Sequence, residues 1–479
     1  MADIENKPEK EDIEIGYEVT FDGLNDKEDA TQLSTLRKWL IVVIISLGST
    51  CITCLSSCWT LASTNIINHF GVSEEVSVLG ISLFIIAVGC GGVFLAPMSE
   101  YYGRKKTYTI GLFLCGTFNL LPGFCENFGG VLFGRFVSGF FASSFMAVAS
   151  GTFADIFPKD KLAYPVALYT MSPFVGPGLG PLMSGFINKY IDFRWTFHVM
   201  TIWCAVIVVM VVLFVPETYQ PVLLMAKAKR VRKETGDDRY YAPLEKSKRS
   251  LVQAILLSCE RPIGLLFRDK MTFVLCFYTG FNLAIVYMFF VAVPYIFETV
   301  YGFEIDHVGL TFIGLILGMA ISSLVGPFFV TKYMNKKAAA NKGIMEPEFR
   351  FFSIEIGVFI APMGLLVMGW TAYPHVHWMG PIIGMFIFGF GIIFIFNGIF
   401  GYTVDAYRLY AASAMATNSL VRSIMGGVFP LFGKQMYKKM GIHWASTFLA
   451  LIGCLLIPVA FLFAKHGPRL RQQSKYAWA

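Results

Sequence analysis

Residues 76–106 read VSVLGISLFIIAVGCGGVFLAPMSEYYGRKK. The stretch 76–97 carries no charge. At 1.5 Å of rise per residue it is long enough to cross a hydrocarbon core of roughly 30 Å. Its apolar residues run all round the helix and leave no face for water. The run then ends abruptly: Ala96-Pro97 closes it, Gly103 permits a tight turn, and Arg104, Lys105 and Lys106 follow as a cation cluster. An uncharged helix that stops on cations reads as a membrane crossing that finishes on the inner side.

The rest of the chain repeats that pattern. Of 479 residues, 55% are hydrophobic, 16% aromatic and 15% charged, where a soluble protein carries about 25% charged residues. The charges cluster, and long apolar runs lie between the clusters. That excludes a soluble enzyme, a disordered chain and a disulfide scaffold. It also argues against a barrel, whose strands are short and alternating. Twelve spans are predicted, at roughly 39–67, 76–97, 106–124, 129–153, 163–187, 196–215, 272–297, 307–332, 354–373, 378–404, 411–433 and 443–464. The fold class is an all-α membrane protein.

Cations fix the orientation. With both termini inside, 32 of the 39 Lys and Arg residues lie on the inner side. Five lie outside (Lys189, Arg194, Lys434, Lys438 and Lys439), and Arg135 and Arg422 fall within spans. The loop between spans 11 and 12 is the one dissenter. The first 36 residues hold eleven carboxylates against three lysines and have no apolar h-region. Residues 1–38 are therefore expected to form a disordered acidic cytoplasmic tail and not a signal peptide. A basic linker, 216–271, separates an N-terminal six-helix half (39–215) from a C-terminal one (272–464), and 465–479 form a cytoplasmic C-tail. The linker run Lys227-Ala-Lys-Arg-Val-Arg-Lys233 reads as a segment lying on the anionic inner leaflet rather than a nuclear signal.

The halves echo each other. Ala96-Pro-Met-Ser-Glu-Tyr-Tyr-Gly-Arg-Lys-Lys106 follows span 2, and Gly326-Pro-Phe-Phe-Val-Thr-Lys-Tyr-Met-Asn-Lys336 follows span 8. Both place a small residue and proline before a cation cluster. Further motifs are Gly134-Arg-Phe-Val-Ser-Gly139, Ser172-Pro-Phe-Val-Gly-Pro-Gly-Leu-Gly-Pro181, Phe193-Arg-Trp-Thr-Phe197, Pro216-Glu-Thr-Tyr219 and Asn418-Ser-Leu-Val-Arg-Ser-Ile424. With these motifs the chain resembles the major facilitator superfamily, and within it the fungal drug:proton antiporters with twelve spans. The resemblance covers nearly all of 39–478. It implies the major facilitator fold, with two six-helix halves rocking about a central site.

Several residues stand out for function. Arg104 faces helix-end carboxylates Asp155 and Glu217, with Glu100 one turn earlier and Gly103 at the turn. This set is expected to be a cytoplasmic latch that holds the halves in one state, as the resemblance implies. Asp405 is the symmetry mate of Asp155, expected to pair with Lys336 or Lys337. In span 5, Pro173, Pro177 and Pro181 recur every four residues beside a stripe of Gly176, Gly180 and Ser184. Span 8 carries a matching stripe of Gly314, Gly318, Ser322 and Gly326, so spans 5 and 8 are expected to cross closely between the halves. The resemblance marks Gly176-Pro177 as part of a motif typical of antiporters.

Arg135 and Arg422 are intramembrane cations. Each would cost about 2.5–3.5 kcal/mol facing lipid at a helix centre, so each should face protein or a cavity. For Arg135 the alternatives are a gate in proton or substrate coupling and a hydrogen-bonder to backbone carbonyls. No carboxylate falls at mid-span, which leaves Asp155, Glu298 and Asp405 at span ends as coupling candidates. The cavity lining is expected from Asn65, Tyr278, Asn282, Tyr287, Asn397, Tyr402 and Asn418. Cys51, Cys54 and Cys58 share one helical face inside an apolar span and read as packing residues, not a metal site. No P-loop and no nucleophile–base set occurs.

The expectation is a proton-coupled antiporter that exports small organic compounds, polyamines or hydrophobic or cationic drugs. It has no bound cofactor beyond the proton gradient, no metal and no nucleic-acid partner. It acts as a monomer in the lipid bilayer, of the plasma membrane or else of the vacuole. The rivals are an importer of an organic solute and a non-transporting membrane sensor.

Overall fold

The computed structural model describes residues 17–21, 26, 28–158, 161–246, 251–343, 345–474 and 476–477. Span 1 is Thr35–Ser57 continued by Trp59–Phe70, with a break at Cys58. Span 2 is Glu74–Tyr102, span 3 Arg104–Asn119 with Leu121–Phe124, span 4 Phe128–Ile156, span 5 Ala163–Tyr190 and span 6 Arg194–Phe214. The second half holds span 7, Lys270–Tyr301, span 8, Ile305–Thr311 with Ile313–Ala340, and span 9, Phe351–Trp370. Span 10 is Met379–Tyr407, span 11 Ala411–Met440 and span 12 Ile442–Leu455 with Ile457–Gln473.

Nine of the spans are long and apolar enough to cross a membrane on length and composition. The other three, spans 3, 5 and 11, carry more polar residues or breaks and lie in the same bundle. Helix starts follow from the local sequence. Ser73 accepts from the Val76 N–H before span 2, and Asn127 from the Gly129 N–H before span 4. Between spans 2 and 3, Gly103 sits at φ 98°, a left-handed conformation open to glycine and strained for other residues.

Within the first half, span 1 packs on span 5, and span 4 on spans 2 and 3; within the second, span 7 packs on span 11, and span 10 on spans 8 and 9. The halves meet where span 2 lies on span 11 and span 5 on span 8.

Spans 5 and 8 do cross between the halves, but not on the predicted stripes. A Cβ on Gly176 would lie 2.6 Å from the Thr50 carbonyl, and one on Gly180 2.7 Å from that of Cys54, both in span 1. Gly314 approaches the Ile382 carbonyl in the same way, 2.7 Å from its Cβ position, and Gly318 that of Phe386, both in span 10. The stripes thus weld each half internally. The interface uses the other face of span 5: Gly178 against Ile316, Gly185 against the Ile305 carbonyl, and Gly309 of span 8 against the Pro181 carbonyl. A small-residue repeat shows that some helix comes close; it does not say which one.

The described part of the N-terminal tail departs from the expected disorder. The Val19 N–H donates to the Tyr241 carbonyl at 3.0 Å, and the Tyr241 N–H to that of Tyr17 at 3.1 Å. Lys227 of the linker helix Gln220–Thr235 pairs with Asp26 at 2.8 Å and donates to the Thr20 carbonyl at 3.0 Å. Arg230 grips Glu28 with both guanidinium ends. Acidic tail meets basic helix, so two cations expected to face the lipid surface face protein. Farther along, Arg232 forks onto Glu245, and Arg239 holds the Asp237 carboxyl below its ordinary range. The amphipathic helix Leu251–Arg268 then leads into span 7, and its Pro262 carbonyl accepts from Thr417 at 3.1 Å.

Candidate functional site

At the outer face, ion pairs join the two halves. Lys189 at the end of span 5 pairs with Asp306 at 2.7 Å and Glu304 at 2.6 Å at the start of span 8. Glu74 at the start of span 2 takes Lys434 at 2.8 Å and Lys438 at 3.2 Å from span 11, and Gln435 donates to Glu75 at 2.9 Å. This accounts for the cations that dissented in the charge count: they are partners across the interface. Asn65, expected in the cavity, donates to the Asn188 carbonyl at 3.2 Å and ties span 1 to span 5.

Ion pairs at the inner ends of the spans stay within one half. Arg104 donates to Asp155 at 3.1 Å and to Ser99 at 2.7 Å, and its guanidinium lies over the Tyr219 ring at 4.6 Å. Glu217 accepts from the Arg104 and Lys105 N–H groups at 2.8 and 3.2 Å and so caps span 3. Glu100 is exposed and makes none of these hydrogen bonds. The expected latch therefore ties spans 2, 3 and 4 to the segment after span 6, all on the first half's side, and does not bridge the halves. Asp405 pairs with Arg350 at 2.5 Å, not with Lys336 or Lys337. The Arg350 side chain starts from the turn before span 9 and reaches span 10 directly. Asp269, missed in the sequence reading, is buried at the foot of span 7 and accepts from Thr272 at 2.7 Å and from the Tyr407 hydroxyl. Among the described residues, every ion pair between the two sets of spans is at the outer face. The outer face is thus where charge pairing holds the two sets of spans together.

The two intramembrane arginines have opposite surroundings. Arg135 is fully buried and donates to the carbonyls of Gly80 at 2.9 Å, Leu55 at 3.0 Å and Ser56 at 3.2 Å. Its guanidinium lies 4.3 Å from the Phe84 ring centre and 5.4 Å from that of Trp59. It clamps spans 1 and 2 to span 4 beside the break at Cys58, which is the hydrogen-bonding alternative of the two readings. The Ser56 hydroxyl meets the Tyr287 hydroxyl at 2.9 Å, a contact across the halves at mid-depth.

Arg422 has no such partners. Among the described residues no hydrogen bond or ion pair reaches it, and its Nε is buried and unsatisfied. The rings of Phe400 and Phe396 lie 5.3 and 5.9 Å from its guanidinium carbon, and the phenols of Tyr287 and Tyr169 lie within its electrostatic reach. Arg422 is half-buried near the middle of span 11, with span 10 rings on one side and Tyr169 of span 5 within electrostatic reach on the other, so it lies by the seam between the halves. Phe174 of span 5 stacks on Phe396 of span 10 at 5.0 Å and bridges the halves just inward of the middle.

Of the other predicted lining residues, Tyr287 lies at the interface and Asn397 is half-buried. Asn282 donates to the Tyr278 carbonyl at 2.9 Å, Asn418 to Thr279 at 2.7 Å, and Tyr402 to the Met271 sulfur. The last two bonds tie span 7 to spans 11 and 10, and the first stays within span 7. Pro173, Pro177 and Pro181 lie within the span 5 helix. Glu298 is exposed at the outer end of span 7. The outer pairs, Phe174 and Phe396 were missed. For the pairs a signal existed: acidic residues at the starts of spans 2 and 8 opposite lysines at the ends of spans 11 and 5.

A family model described as Major Facilitator Superfamily matches residues 39–430. A Saccharomyces cerevisiae protein named "Probable drug/proton antiporter YHK8" is 49% identical over 473 residues, 98% of this chain and 92% of that one. "Efflux pump atB" of Aspergillus terreus is 41% identical over 471 residues, 97% of this chain and 91% of that one. A partially occluded inward-open xylose transporter of E. coli matches in structure with a TM-score of 0.64 at 15% identity, covering 89% of this chain and 99% of that one.

Proposed function

Because this chain belongs to the major facilitator superfamily, and is a transporter rather than an enzyme, we propose that it exports a small organic compound in exchange for protons moving inward. It works as a monomer in the plasma membrane by alternating access, with the proton gradient as its energy source and no bound cofactor. The full-length likeness to a named drug/proton antiporter and a named efflux pump carries this reading. The geometry fits alternating access in either direction: ion pairs join the halves at the outer face, whereas the inner ion pairs each stay within one half. Glu298, at the outer end of span 7 and within electrostatic reach of Lys434 and Glu74, is the carboxylate we assign to proton coupling.

The test is cellular accumulation of a labelled panel of organic compounds in a yeast stripped of its own pumps, with and without a protonophore. Lower accumulation that the protonophore restores is expected for at least one compound. Higher accumulation would make the protein an importer. Unchanged accumulation across the panel, with the protein confirmed at the cell surface, would remove export from the proposal.

A further inference from the structure

The charge of the central site selects a class of cargo. Arg422 stands at mid-depth with no anionic partner, whereas the three carbonyls on Arg135 already satisfy that cation. Among the described residues the carboxylates near the bundle stand toward its two ends: Glu74, Glu298, Glu304 and Asp306 outside, Asp155, Asp269, Glu355 and Asp405 toward the inside. A polyamine or other organic cation entering between the halves would therefore meet a bare guanidinium and no counter-charge. An anion would meet the reverse.

From this geometry we propose that Arg422 binds the cargo directly, and that the cargo is a small organic anion with one carboxylate and a flat apolar body. A planar guanidinium recognises a carboxylate through two parallel hydrogen bonds. Partial burial strengthens that pair. The rings of Phe396 and Phe400 lie beside the guanidinium, and the Phe174–Phe396 stack offers an aromatic wall for the body of the ligand. The Tyr287 phenol lies within electrostatic reach of the same cation, and its hydroxyl, shared with Ser56, can turn to donate to a ligand oxygen. The site thus joins one charged anchor to apolar walls, the usual make-up of a small-molecule pocket. The inference rests on the transporter reading and adds the sign of the cargo's charge.

The experiment is equilibrium binding to the purified full chain in lipid nanodiscs, with labelled salicylate, its uncharged amide and spermidine as probes. Salicylate is expected to bind at least about tenfold more tightly than the amide and more tightly than spermidine, the effect of one charge-assisted hydrogen-bond pair. Arg422→Gln is expected to weaken salicylate about tenfold or more, and Arg422→Lys to fall between that variant and the wild type, since an ammonium keeps the charge but not the two parallel hydrogen bonds. Arg422 has no hydrogen bond to lose, so the Gln variant should melt like the wild type. If it does not fold, the contrast between salicylate and its amide on the wild type still decides. The proposal is overturned if salicylate fails to bind at millimolar concentration, if spermidine binds better, or if acid and amide bind alike. Wild-type salicylate affinity in a folded Arg422→Gln also overturns it. Binding is read without transport: a protein that binds salicylate through Arg422 yet raises its cellular accumulation keeps the anion site and loses the export reading.

Discussion

Replacing Arg135 tests whether its first task is mechanical. The side chain donates to three buried carbonyls. Arg135→Ala leaves all three without that donor, at about 1–3 kcal/mol each, or roughly 3–9 kcal/mol in all. Against this, the variant no longer desolvates a guanidinium inside the protein, which relieves roughly 3 kcal/mol. The balance is a loss of about 3 kcal/mol. If the first half melts as a unit of its size, that lowers the melting temperature by about 10 °C. Arg135→Lys carries a compact ammonium that can reach only part of the set and should fall between the two. The assay is thermal unfolding of detergent-solubilised protein by size-exclusion fluorescence, beside surface level and export in cells. An Arg135→Ala protein that melts and reaches the surface like the wild type, but does not export, would refute the clamp and return the residue to the transport cycle.

Glu74→Lys should repel Lys434 and Lys438 and open the outer face, read as faster labelling of a cysteine placed at Gly433; unchanged labelling would mean that these pairs do not hold it shut. Gly318→Ala places a methyl against the Phe386 backbone and should cost about 1–3 kcal/mol, seen as a loss of folded yield. Gly178→Ala meets only the Ile316 side chain; it should fold and change transport rate instead. Arg104→Ala should destabilise the first half and leave the inward-facing fraction, read by cysteine accessibility, unchanged, because the residue's partners are all on the first half's side.

The twelve crossings were legible because uncharged length and cation clusters are local properties of the chain. Spans 5 and 11 could be read despite their glycines and prolines, since their runs are still bounded by polar turns. Partner choice was not legible. The repeat at Gly176 and Gly180 predicts a close neighbour, yet span 1 rather than span 8 takes that place. Asp405 was matched on paper to Lys336 or Lys337, and the path of the chain before span 9 brought Arg350 instead. Arg135 was recognised as a buried cation, but which carbonyls it would find depended on the break at Cys58 in another helix. The outer pairs needed two helix ends from opposite halves to be brought together, which no local pattern encodes. The tail was read from its own composition alone, and its ordering comes from a basic helix some 200 residues away.

The position of the small-residue stripes has a mechanical consequence. Glycine-backed contact between spans 1 and 5, and between spans 8 and 10, makes each half a stiff jaw. The seam between the jaws includes approaches against side chains that can give way: Ile316 at Gly178, Ser423 at Gly89 and Ile86 at Gly427. Such a joint stores little elastic strain in its parts and slips at its seam. Substitutions inside a jaw should then appear as lost protein, and substitutions along the seam as altered speed.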